Sequence, residues 1–263
     1  MARKFLDLSI AIENDVPADP PGLEPQVQYL RHEQTHEQLT QFFPGLEPSD
    51  LPDGESWAVE RVNLSTHNGT HMDAPWHFHS TQDAALDSGK RPAMTIDELP
   101  LEWCFCDGVK LDFREFDDGY VATAEDVQRE LDRVGYRLKE NDIVLINTAA
   151  GAAYGEQDYV HRGCGMGREA TLFLASQGIK IVGTDAWSWD APFSHTAKRW
   201  AETRDPEIIW EGHKAGKDIG YFQIEKLHNL ELLPATGFEV LCFPVKIKGA
   251  SAGWIRAVAL LTD

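Results

Sequence analysis

The sequence predicts an α/β fold organised around a βαβ unit, and three stretches carry that prediction. Residues 142–147 read DIVLIN, an apolar run of strand length of the kind buried on both faces of a sheet. Residues 168–177 follow as a helix closed by Gly178, and residues 179–184 return as a second apolar strand, IKIVGT. Strand, helix and strand in that order pack as a right-handed parallel crossover. At 263 residues the chain is long enough to bury a sizeable core, and one domain spanning 1–263 is expected.

The other elements follow in chain order. Alternation of Phe5, Leu6, Leu8, Ile10 and Ile12 indicates an opening strand, which Pro17, Pro20, Pro21 and Gly22 end. Residues 26–56 are polar and broken by Pro44, Gly45, Pro48, Pro52 and Gly54, so they are expected to be an insertion or lid. Residues 57–65 read as a strand leading into a histidine-rich segment. A turn is expected at 96–99 and an alternating strand at 106–113. Thr123, followed by Glu125 and Asp126, caps a helix running to about Val134, with Val127, Leu131 and Val134 on one face. Residues 187–217 are rich in tryptophan and charge and show no clear period. Residues 239–245 and 255–261 read as two closing strands, and no repeat or linker divides the chain.

Hydrophobic residues make up 42% and charged residues 25%, a globular balance that argues against disorder and against a membrane protein. Asp7, Glu13 and Asp15 interrupt the start, and no run approaches the roughly 20 apolar residues that span a bilayer, so a cytoplasmic protein is expected. A net charge of -19 without a local basic patch argues against nucleic-acid and membrane-surface binding and leaves a small molecule as the expected partner. Cys104, Cys106, Cys164 and Cys242 lack the C-x-x-C spacing of a zinc knuckle or redox site and are read as thiols in a reducing compartment.

The chemistry concentrates in residues 65–80, STHNGTHMDAPWHFHS. Gly69 and Pro75 argue against one continuous helix, so histidines a helical turn apart are not expected to form the site. In an extended backbone side chains alternate between faces, and His67, His71, Asp73, His77 and His79 all fall on odd positions. One face is therefore expected to collect every candidate ligand. Two imidazoles and a carboxylate suit Zn²⁺, Mn²⁺ or Fe²⁺, and three protein ligands leave a position open for water or substrate. A cation so held lowers the pKa of water to about 7 and polarises a carbonyl. His67, His71 and Asp73 are the candidate ligands, and His77, beyond the rigid Pro75, is the candidate proton carrier. A structural zinc site would usually carry a fourth ligand, often cysteine, and none lies in this segment. His79 is read as a support for the backbone or a neighbouring ligand.

The run HNGTHMDAPWHF resembles the His-x-Gly-Thr-His-x-Asp-Ala-Pro-x-His-Phe signature of the cyclase-like metal hydrolases, a family that includes bacterial kynurenine formamidase and isatin hydrolase. The likeness continues through Asp7-Leu8-Ser9, NDIVLINT, LASQGIKIVGTDAWSWD, IEKLHNLELLPATGFEVLCFPVKIKG and IRAVAL. It implies a swivelling β/β/α core, a mixed, barrel-like sheet with flanking helices. It also implies metal-dependent hydrolysis of an amide, formamide or cyclic amide C–N bond in a small, aromatic substrate, with zinc or manganese as cofactor and a homodimer or larger assembly. Carried over, it implies His67, His71 and Asp73 as metal ligands and His77 as the acid/base. For members with a second ion it implies His213 and Glu225 as further ligands.

Relative to the compact formamidases, residues 26–56 and 187–212 look like insertions that would shape the pocket. Phe42, Phe43, Trp57, Trp76, Trp187, Trp189 and Trp200 are its candidate aromatic lining. Asn68 in place of threonine, and SAGWIRAVA in place of a Ser-Pro turn, depart from the family pattern, and neither is expected to touch a ligand. Two other readings are open at this level, a metal-dependent lyase or cyclase on a small carbonyl metabolite and a metal- or ligand-binding protein without turnover. Gly163, Gly165 and Gly167 open a helix as a nucleotide loop would, but EQDYVHR before them is not a convincing strand and the sixth-position glycine is missing. Nucleotide binding is not expected.

Overall fold

The structure, a computed structural model, describes residues 3–262. Its principal strands are β1 (Arg3–Asp7), β2 (Gln26–Leu30), β3 (Val59–Asn63), β4 (His71–Asp73), β5 (Phe105–Asp112), β6 (Ile143–Asn147), β7 (Ile181–Thr184), β8 (Phe222–Glu225), β9 (Phe238–Leu241), β10 (Ala252–Trp254) and β11 (Val258–Thr262). Nine of them form one mixed sheet in the order β1-β11-β9-β5-β6-β7-β8-β4-β10. The run β5-β6-β7-β8 is parallel, and the remaining neighbours on both sides are antiparallel.

Helix α1 (Ala124–Val134) joins β5 to β6, and α2 (Arg168–Ser176) joins β6 to β7, giving the predicted βαβ crossover. The DIVLIN strand shows why both faces must be covered. Ile143 and Leu145 enter one core with Leu8, Met72, Ile224 and Phe238. Val144 and Ile146 enter the other, against Val127 and Leu131 of α1 and Leu174 of α2. Alternate residues of one strand, from Ile143 to Ile146, thus serve two cores. Helix α1 begins where expected: Asp126 N–H donates to Thr123 Oγ1 at 3.2 Å and Thr123 N–H donates to Asp126 Oδ2 at 2.9 Å, a reciprocal cap.

One expectation changes, and two stretches gain definition. The opening strand stops at Asp7, because the Asp7 carboxylate accepts the Ser9 N–H at 3.2 Å and turns the chain out of the ladder. Residues 26–56 contain β2, which pairs with β3, the strand expected within 57–65, as a two-stranded ribbon outside the main sheet. The residues Val59–Asn63 read VERVN, too polar to bury a face, and the strand lies mostly exposed. Residues 187–217 supply α3 (Phe193–Thr203) and a one-turn helix, α4 (Glu211–Lys214). Among the described residues no helix is long and apolar enough to cross a membrane.

Candidate metal centre

The register of β4 against β8 builds the site. Asp73 lies opposite Gln223 and His71 opposite Glu225, so these four side chains share one face, while Met72 and Ile224 point into the core behind. His71 and Asp73 obey the odd-position rule because they sit on a true strand. The extended reading fails on either side of it. Gly69 takes φ +64°, turning the chain so that His67 folds back onto Asp73. Pro75 starts a four-residue helical turn, Pro75–Phe78, which brings His77 round onto the same carboxylate. His79 follows the turn and points away. Its Nδ1 accepts the Thr81 N–H at 3.1 Å and takes no part in the cluster.

Asp73 is the hub. Its Oδ1 stands 2.8 Å from His67 Nδ1 and 3.3 Å from His71 Nε2. Its Oδ2 stands 3.9 Å from His77 Nε2 and 3.8 Å from His213 Nε2. Glu225 closes the far side, 3.5 Å from His71 Nε2 through Oε2 and 3.5 Å from His213 Nε2 through Oε1. All six candidate residues therefore converge. Among the described residues two groups have ligand atoms close enough to share an ion, His67-Asp73-His77 and His71-Asp73-Glu225, and Asp73 is common to both.

The donor set fits a divalent cation. His71 Nε2 and Asp73 Oδ1 are buried and face each other, and neither makes a well-aligned hydrogen bond, close as His67 Nδ1 comes to Asp73 Oδ1, which is costly unless something else satisfies them. Ligand atoms each about 2.1 Å from one ion stand no more than about 4.2 Å apart, and the separations given above fall within that limit. Gln223 Nε2 lies within 2.7 Å of His213 Nε2, 3.3 Å of Asp73 Oδ2 and 2.9 Å of Glu225 Oε1, three polar neighbours around one amide with two hydrogens.

Charge points the same way. Asp73, Glu225 and Asp190 are all buried. Burial pushes Glu225 up, and the neighbouring Asp73 charge adds to the rise. Burial opposes the Asp73 carboxylate too, but the surrounding imidazoles hold it well below the usual carboxylate range. For His213 burial is outweighed by Asp190 and Asp73, which raise it to about 10. His77 is pulled down to about 3, first by burial and then by the neighbouring imidazoles, against the pull of Asp73. The His77 ring is therefore neutral at physiological pH.

The cluster opens into a cavity of about 240 Å³ whose aromatic lining is Trp187, Phe193 and Trp210. Only Trp187 of the aromatic residues proposed from sequence lines it. Trp189 is buried in the core, and Phe42, Phe43, Trp57, Trp76 and Trp200 lie exposed elsewhere. A larger groove, of about 630 Å³, runs along α1. Its Arg114, Arg129 and Arg133 are paired with Asp112, Asp126 and Glu130. The glycines at 163–167 serve packing: a Cβ on Gly165 would meet the Ala191 nitrogen at 1.8 Å.

Against known families, the profile of the Cyclase family, described as "Putative cyclase", matches residues 6–191. The chain belongs to the cyclase family. It is 27% identical over 210 residues to the kynurenine formamidase of Erythrobacter litoralis, covering 79% of each chain. It is 28% identical over 211 residues to that of Salinibacter ruber, covering 78% of this chain and 81% of the relative. Among solved structures, isatin hydrolase A from Labrenzia aggregata bound to benzyl benzoate superposes with a TM-score of 0.71 at 23% identity, covering 99% of this chain and 94% of that one. This cyclase-family chain thus shares the mixed α/β fold of that structure.

Several residues around this cyclase-family site escape sequence reasoning. Asp190 accepts the N–H groups of Gly212 at 2.8 Å and His213 at 3.0 Å, fixing the short α4. Gln223 is two residues before Glu225 on a strand, so both fall on one face, but four residues are too few for that pattern to stand out in the sequence. Lys226 and Asp19 form a buried ion pair, and Lys226 Nζ also donates to the His67 carbonyl at 3.1 Å. Asn68 donates to Asp19 Oδ2 at 2.9 Å and to the Leu23 carbonyl at 2.7 Å, tying down the turn that carries His67. The SAGWIRAVA departure does reach a candidate ligand: Ser251 Oγ lies 3.1 Å from His67 Nε2, brought there because β10 pairs with β4.

Proposed function

We propose that the chain is a metal-dependent hydrolase that opens the C–N bond of an amide, formamide or cyclic amide in a small aromatic substrate. The observation that carries this reading is the pair of buried, unpartnered ligand atoms, His71 Nε2 and Asp73 Oδ1, in a cluster at the foot of an aromatic-walled cavity. Membership of the cyclase family and the kynurenine formamidase relatives support the same reaction class. His67, His71 and Asp73 would hold one divalent cation, zinc or manganese, and His213 and Glu225, which also face Asp73 and each other, would be the ligands of a second. The cation supplies a Lewis acid that makes water a competent nucleophile near neutral pH and polarises the carbonyl.

The protein's own part is positioning and proton transfer. Asp73 is anchored by the β4–β8 register, so the ligand face is set before any ion arrives. His77 is neutral, a quarter exposed, and lines the cavity with Nε2 3.9 Å from Asp73 Oδ2. It takes a proton from the attacking water as the C–O bond forms and passes it to the departing nitrogen as the C–N bond breaks. The free thiols at Cys104, Cys106, Cys164 and Cys242 support a reducing, cytoplasmic setting. The exposed β2–β3 ribbon supports a homo-oligomer, since a lone two-stranded ribbon is marginal in water.

The test is turnover of formanilide and an aryl lactam in H₂¹⁸O by protein stripped with a chelator and reloaded with zinc or manganese. The expected result is metal-restored activity with ¹⁸O in the new carboxylate. Turnover without ¹⁸O incorporation refutes hydrolysis.

A further inference from the structure

We propose that Trp210 is the residue that sets specificity in this cavity, by offering its indole face to a flat, uncharged aromatic ring. The inference rests on the hydrolase reading for the reaction, but its evidence is the backbone and packing of Trp210 itself.

Trp210 adopts φ 61° and ψ 39°, the left-handed region, where a bulky side chain is a genuine outlier. Such a conformation persists only where the surroundings over-determine it, and it collects at ligand clamps and active sites. Here the surroundings are the centre itself. The indole stacks on His213 with centroids 4.3 Å apart and planes at 21°, and meets the His77 ring edge-on at 5.0 Å and 81°. No helical or extended backbone at position 210 is needed to start α4, whose first turn Asp190 already caps. A glycine or asparagine there would relieve the backbone. A tryptophan instead spans two imidazoles and keeps part of its surface open to the cavity.

The rest of the lining agrees on the ligand. Trp187 is held by its Nε1–H donating to Asp19 Oδ1 at 3.2 Å, and Phe193 packs on Trp187 edge-to-face at 5.4 Å and 86°. Among the described residues no lysine or arginine lines the cavity, the nearby Lys226 is consumed by Asp19, and Asp19 and Glu225 themselves line the wall, so no side chain there would neutralise a substrate carboxylate away from the cluster. An aromatic lining without a cationic side chain selects an uncharged aryl group, whose carbonyl can then face the cluster.

The experiment compares wild type, Trp210→Gly and Trp210→Phe. Trp210→Gly is expected to melt no lower than wild type, since glycine accepts the left-handed backbone, while KM for the aryl substrate rises about tenfold and KM for a ring-free alkyl formamide does not move. Trp210→Phe keeps most of the aryl affinity. A parallel arm titrates indole, which has no bond to hydrolyse, into metal-free protein by calorimetry, and about tenfold weaker binding to Trp210→Gly is expected. Equal affinity of the two proteins for indole, or no binding to either, overturns the proposal whatever the turnover assays give. Loss of turnover in wild type with the indole difference intact would instead overturn the hydrolase reading alone.

Discussion

Asp190 Oδ2 stands 2.5 Å from His213 Nδ1 and also accepts the His213 backbone N–H at 3.0 Å, so one buried carboxylate fixes the ring and the chain that carries it. That hydrogen bond sets which imidazole nitrogen faces Asp73 and Glu225, and it raises the basicity of that nitrogen. Asp190→Asn keeps the size and loses the charge. Its affinity for the ion shared by His213 and Glu225 is expected to fall by about 10- to 100-fold. Competition against a fluorescent chelator reads this directly, and an unchanged affinity would remove His213 from the ligand set.

His77 lines the cavity, is a quarter exposed, and makes only a distant contact with Asp73, at 3.9 Å. Removing it with His77→Ala should lower kcat by roughly 10²- to 10⁴-fold, the usual range for a general acid/base, and leave metal content intact. Stopped assays paired with metal analysis on the same sample check it. A variant that keeps wild-type kcat would strike His77 from the mechanism.

What could be read in the sequence followed from where the ligands lie along the chain. His67, His71, Asp73 and His77 fall within one short run, so their density was visible without any knowledge of the fold. The parity argument was sound for His71 and Asp73, which occupy β4, and unsound for His67, His77 and His79, because Gly69 and the Pro75 turn break the extended backbone. Glu225 reaches the cluster only through the β8–β4 pairing, and His213 only through α4, so position along the chain carried no local signal for either. The βαβ unit was legible because its two strands are apolar throughout. The short strands β4, β8 and β10 were not: at three or four residues, periodicity has too few positions to show. Trp189 and Trp210 illustrate the same limit for aromatics, since one is core and the other lines the cavity with nothing local to distinguish them.

Lys226 Nζ bonds to both Asp19 and the His67 carbonyl, so it ties the segment at 19–23, the metal-facing turn and the end of β8 together. Breaking a buried pair from one side leaves the other charge stranded. Lys226→Met is expected to cost about 3–5 kcal/mol of stability, and the double variant Lys226→Met with Asp19→Asn less than the sum of the singles. Urea denaturation of the four proteins measures the coupling. Additive losses would mean that the two side chains do not act as a pair.

Asp185 gives a pH dependence whose direction can be worked out. Its carboxylate accepts Thr148 N–H at 2.9 Å, Thr148 Oγ–H at 2.7 Å and Asn147 Nδ2–H at 2.6 Å, yet complete burial outweighs these donors and pushes it up to about 7. An unfolded aspartate titrates near about 3.9, so the folded chain holds this proton more tightly. Below that value both states are protonated and the group contributes nothing. As pH rises from about 4 towards 7, the unfolded chain ionises first and stability is lost, by on the order of 4 kcal/mol in all. Asp185→Asn cannot ionise and lacks this slope. Between pH 5 and pH 8 wild type should therefore lose roughly 3 kcal/mol more than the variant in urea melts. Parallel profiles would mean that the Thr148 and Asn147 donors, not burial, govern this carboxylate.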